Sequence, residues 1–175
     1  RRVLFRSQSA GNVLRYPLGQ GVALDYTVSS TQVKQNLVIR DQPFFGQDFT
    51  GWLGLQEEML LPHGYSVFEG TSPLQDGQVM QTDEHFEIRN IETGELLVTV
   101  PAPLVYDSNV TALPGIGQYF IMQIGEHVQI TTTIDSEWLM DENRTYPIMI
   151  DPTIDVTAAT TYYTYKYTVN YGWTS

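Results

Sequence analysis

Apolar and polar residues alternate with a period of two in segment after segment of this chain, and no long stretch sustains the 3.6-residue period of a helix. Leu24, Tyr26 and Val28 alternate with Asp25 and Thr27, and Leu37 and Ile39 carry the pattern beyond the turn at Ser29–Gln32. Trp52 to Leu61 predicts a strand ended by Pro62 and Gly64, and Tyr65 to Phe68 a shorter one. Phe86–Ile88 and Leu96–Val100 flank Asn90–Gly94, a hairpin signal with a glycine free to adopt positive φ. Tyr119–Ile124 and Val128–Ile134 flank Gly125–His127 in the same way. Pro101 and Pro103 remove backbone donors, so the chain is expected to cross or run along an edge there. Short strands broken at roughly 8–12-residue intervals predict an all-β, antiparallel, sandwich-like module. The 11 tyrosines and many Val and Thr residues favour the same answer.

One run completes a structural unit. Ile130–Ile134 is β-branched and strand-like. Asp135 is placed to cap one short helical turn near 135–141, with Glu137 adding negative charge at its positive end. Trp138 and Leu139 are adjacent apolar residues in that turn, and Trp138 is expected to be mostly buried. Asp141–Asn143 is a polar turn, Tyr146–Ile150 a second strand, and Asp151-Pro152 its stop.

This run resembles the end of a β-rich module in bacterial and archaeal wall-associated proteins that carry Rhs or YD repeats. The matching residues are Trp138, Leu139, Asp141, Arg144, Tyr146, Pro147, Ile148, Ile150, Asp151, Pro152 and Thr153. Val22–Val28 with Val33–Ile39 is similar to that family's opening hairpin, and Glu95–Ser108 to its central strand pair. The resemblance covers about Val13 to Ile154 and implies an exported, extracellular, cell-surface address rather than an activity. It also implies partners among neighbouring modules of the same polypeptide.

The ends differ from this body. Arg1–Ser7 can be encoded by CGA CGT GTG CTC TTC CGA TCT, a common sequencing-adapter end, so residues 1–7 are expected to be an artefact at the head of a metagenomic fragment. Residues 8–153 form the predicted module. Residues 154–175, where Thr160–Gly172 alternates Thr and Tyr with few aliphatics, are expected to be the truncated start of a following β module.

Charge narrows the partners. The net charge is −11, and −14 once Arg1, Arg2 and Arg6 are set aside; Lys34 and Lys166 are the only lysines. Such a surface repels nucleic acid and anionic lipid. No apolar run approaches a membrane span. Cysteine is absent, which excludes disulfides and thiolate metal sites.

No catalytic, cofactor-binding or metal-ligating residue emerges. His63, His85 and His127 are not at ligand spacing and read as surface residues; His85-Phe-Glu87 lacks the cysteines that a deaminase zinc site requires. Glu57 and Glu58 are the obvious carboxylate pair for glycoside hydrolysis, but adjacent strand residues point to opposite faces, and both read as solvated charges. Asp135, Glu137, Asp141 and Asn143 could offer oxygens to Ca²⁺ without following an EF-hand loop. Trp52, Tyr163, Tyr165 and Trp173 are the candidates for stacking on sugar rings. Together these readings predict a non-catalytic structural or spacer module, with a carbohydrate-binding module that recognises cell-surface glycans as the alternative.

Overall fold

The computed structural model describes residues 8–19, 21–28, 33–41, 51–109, 114–151, 155–156 and 166–173. The expected artefact at 1–7, Pro152, Thr153 and the tyrosines at 163 and 165 lie outside them. Among the described residues the fold is all-β and antiparallel, with one five-residue helix.

In chain order the strands are β1 (Gln8–Ala10), β2 (Val13–Gly19), β3 (Val22–Val28), β4 (Val33–Ile39), β5 (Gly51–Leu60), β6 (Tyr65–Glu69), β7 (Ser72–Pro73), β8 (Val79–Thr82) and β9 (Phe86–Asn90). They continue with β10 (Leu96–Val100), β11 (Leu104–Tyr106), β12 (Gly115–Ile116), β13 (Gln118–Ile124) and β14 (His127–Asp135). After helix α1 (Ser136–Met140) come β15 (Ile148–Asp151), β16 (Asp155–Val156) and β17 (Lys166–Trp173).

Three sheets result. The first has the order β1-β2-β3-β4-β15-β11-β12, the second β17-β5-β14-β13-β8, and the third β16-β10-β9-β6-β7. Pro101 and Pro103 stand where expected, in the crossing from β10 of the third sheet to β11 of the first. Gly94 and Gly125 adopt positive φ in the two predicted hairpins, β9–β10 and β13–β14.

The second sheet spans the molecule. Leu53, Leu55, Glu57 and Met59 alternate along β5 and so share one face. On β14, Val128, Ile130, Thr132 and Ile134 share the same face, in register opposite Met59, Glu57, Leu55 and Leu53. Leu53, Leu55 and Ile134 belong to one apolar cluster with Val22, Leu24, Leu37, Ile39, Val105, Ile148 and Ile150 of the first sheet. Met59, Val128 and Ile130 belong to a second cluster with Val67, Phe86, Ile88, Val98 and Val100 of the third. The first and third sheets therefore lie side by side against one face of the spanning sheet, giving a sandwich with two cores.

Two boundaries differ from expectation. The strand expected over Tyr146–Ile150 begins only at Ile148, because Tyr146 and Pro147 are engaged in the corner, where their peptide bond is cis. The segment expected to open a separate module instead adds strands to this one. Asp155–Val156 pairs with β10, and Lys166–Trp173 pairs along β5, with Trp173 opposite Gly51. Backbone pairing to an open sheet edge provides the physical reason: β5 would otherwise present unpaired donors and acceptors.

Candidate functional site: the helical corner and the buried seam

The corner is built as the residue pattern predicts. Asp135 caps α1, its carboxylate accepting a hydrogen bond from the Glu137 N–H at 2.9 Å. Leu139 is fully buried and pins the helix to the first core. Trp138 packs against the same core, as expected of a mostly buried indole. The ring lies against Gly115, and the Arg144 guanidinium sits 3.9 Å from a ring centroid, a cation–π contact at the surface of the core.

Arg144 ties the corner together. Its Nε donates to the Trp138 carbonyl at 3.2 Å, and its guanidinium lies 3.7 Å from carboxylate oxygens of both Asp107 and Asp141. Asp107 also accepts from the Asn109 N–H at 2.8 Å. The Tyr146 hydroxyl donates to the Leu139 carbonyl at 2.8 Å, and the Ser108 hydroxyl to the Pro147 carbonyl at 2.8 Å. Burial raises the Tyr146 pKa. Asp141 accepts from both the backbone and the side chain of Asn143, and those bonds hold its carboxyl below the ordinary value. At the far end of β15, Asp151 pairs with Lys34 of β4.

This geometry predicts the effect of filling the space under the indole. A Cβ at Gly115 would stand 2.6 Å from Trp138 Cε2, so Gly115→Ala must displace the ring from Arg144. Overpacking of this kind costs about 1–3 kcal/mol. Urea titration followed by tryptophan fluorescence should show a lower midpoint and an altered native spectrum.

Of the aromatic candidates, Trp52 is the one whose side chain is described. Trp52 lies half-buried on the face of β5 opposite the cores, its ring spread over Gly54, where a Cβ would come within 2.1 Å of Cζ3. Trp173 is described only by its backbone pairing with Gly51, and Tyr163 and Tyr165 lie outside the described residues. His63, His85 and His127 are exposed, with His63 near Glu126 and His127 near Glu58. Among the described residues, no three of His, Asp or Glu are grouped to hold a metal ion, and no helix is long and apolar enough to cross a membrane.

Sequence reasoning missed a buried carboxyl group. Glu57 and Glu58 do face opposite ways, but Glu57 is not solvated: it is 4% exposed, on the inward face between the two apolar clusters. Gln35 of β4 reaches across from the first sheet and donates its Nε2–H to Glu57 Oε1 at 2.6 Å. Burial pushes the Glu57 carboxyl up to about 7, against the opposing effect of that hydrogen bond. The signal was present in the alternation, since Leu53, Leu55, Met59 and Leu61 bracket Glu57 at even spacing.

Nearby, Thr132 is buried with an unpartnered hydroxyl, and the Tyr119 hydroxyl donates to the Pro101 carbonyl at 2.9 Å. The third sheet has its own polar tie to the spanning sheet. Gln123 Oε1 accepts from the Val67 N–H at 2.9 Å and the Ser66 hydroxyl at 3.0 Å, and its Nε2 donates to the Gly125 carbonyl.

No family model, curated protein or solved structure matches this chain.

Proposed function

We propose that this chain is a non-catalytic structural module, a β spacer of a large exported cell-surface protein of the wall-associated, Rhs or YD-repeat kind, working beside other modules of its own polypeptide. One observation carries the reading. The side chains that make the corner distinctive, Trp138, Arg144, Tyr146 and Asp107, are engaged with one another and with nearby backbone. Groups arranged in that way serve to fix a fold rather than to meet a substrate.

A spacer must yield as one body, and the spanning sheet supports this because β5 and β14 contribute to both cores. Calorimetry at pH 6 is expected to show a single transition with matching calorimetric and van't Hoff enthalpies. Two separate transitions, or hydrolysis of a polysaccharide by the pure protein, would count against the spacer.

A second reading, a carbohydrate-binding module recognising cell-surface glycans, is favoured by Trp52. Its ring lies over Gly54 on the outward face of the spanning sheet, where an aromatic side chain could stack on a sugar. A glycan-array signal lost in Trp52→Ala would establish that reading in place of the spacer.

A further inference from the structure

We propose that Glu57 and Gln35 form a proton-operated latch between the first sheet and the spanning sheet, closed while the Glu57 carboxyl keeps its proton and loosened when it ionises. The latch lies at the seam of the two cores, where β5 passes from Leu55 in one cluster to Met59 in the other. Gln35 of β4 bridges to it from the opposing sheet.

The surroundings offer an ionised carboxylate little compensation beyond the Gln35 hydrogen bond, which burial outweighs. On β14, Ile130 stands opposite Glu57 in register, and Thr132 is the next inward residue. From β13, Tyr119 is neutral, its ionisation suppressed first by burial and then by the charges of Glu57 and Asp151. From the first sheet come Tyr26, opposite Gln35 in register, and Asp151, which is paired with Lys34. On β17, Tyr167 is in register with Glu57. Among the described residues, no cationic side chain reaches the carboxyl. A charge buried among neutral and negative groups is costly, and separating the two sheets lets water reach it.

The effect should be selective. The third sheet is tied to the spanning sheet through Gln123, Ser66 and Val67, none of which ionises. Raising the pH should therefore open the first sheet from its partner and leave the third sheet in place.

Native-state amide exchange, corrected for intrinsic rates, tests this residue by residue. With a carboxyl that titrates near 7 when buried and near 4.5 when released, opening of the latch should become about tenfold more frequent between pH 6 and pH 8. Amides of β4 and β15 should lose that protection, and those of β6 and β9 should change little. Glu57→Gln should abolish the change, whereas Glu58→Gln, on the opposite face, should retain it. An equal loss in both regions, or a loss that persists in Glu57→Gln, would overturn the latch. Carboxyl-carbon NMR of the unmodified protein gives an independent reading if the variant fails to fold: a Glu57 resonance titrating like a surface glutamate would also overturn it.

Discussion

Glu57→Gln is expected to stabilise this protein by on the order of 3 kcal/mol at pH 8.5 and by little at pH 4. The sign follows from the direction of the shift. The folded-state carboxyl is raised from 4.5 to about 7, so the folded protein retains a proton that the unfolded chain has already released. Stability contributed by this group is fully present below about 4.5 and is lost as the pH rises to about 7, after which the difference is constant. Glutamine keeps the acceptor for Gln35 and cannot ionise. Urea titrations of both proteins at several pH values isolate the effect, since every other carboxylate is common to the pair. Parallel stability curves would show that Glu57 is hydrated in the folded state.

Tyr119→Ala is expected to cost about 3–5 kcal/mol, and Tyr119→Phe about 1–3. Tyr119 is fully buried, packs edge-on against Phe86 at 5.3 Å between ring centroids, and donates its hydroxyl hydrogen to Pro101. Alanine empties a ring-sized site in the second core. Phenylalanine keeps the packing and leaves the Pro101 carbonyl without that donor. Chemical denaturation of the two variants separates the terms, and an Ala variant no less stable than the Phe variant would contradict the packing described.

Much of the fold was legible because its strands alternate. Leu24, Leu37 and Ile39 are inward-facing as their spacing requires, and the breakers at Gly94, Gly125 and Pro101 stand where the chain turns or crosses. The corner was legible through Asp135, whose capping role depends only on local geometry. Two features were harder to read for one common reason: each depends on a partner far away in the chain. Glu57 is buried because Gln35 and a second sheet lie above it; its even spacing with Leu53, Leu55 and Met59 points inward, but the partner that meets it there lies on another strand. Residues 166–173 change composition yet pair with β5, because an open strand edge is satisfied by backbone alone.

The first sheet is not contiguous in the chain, and this has a consequence for biosynthesis. β4 is made early, but its neighbour β15 follows only at Ile148–Asp151, after the entire third sheet except β16 has been completed. During translation from the N-terminus the hairpin of β3 and β4 must therefore wait with one edge unpaired while more than half of the chain is still to be added. Long-range pairings of this kind slow folding and leave sticky edges exposed on the ribosome. The strong acidity of the chain, net −11, sets up mutual repulsion that opposes association of waiting chains.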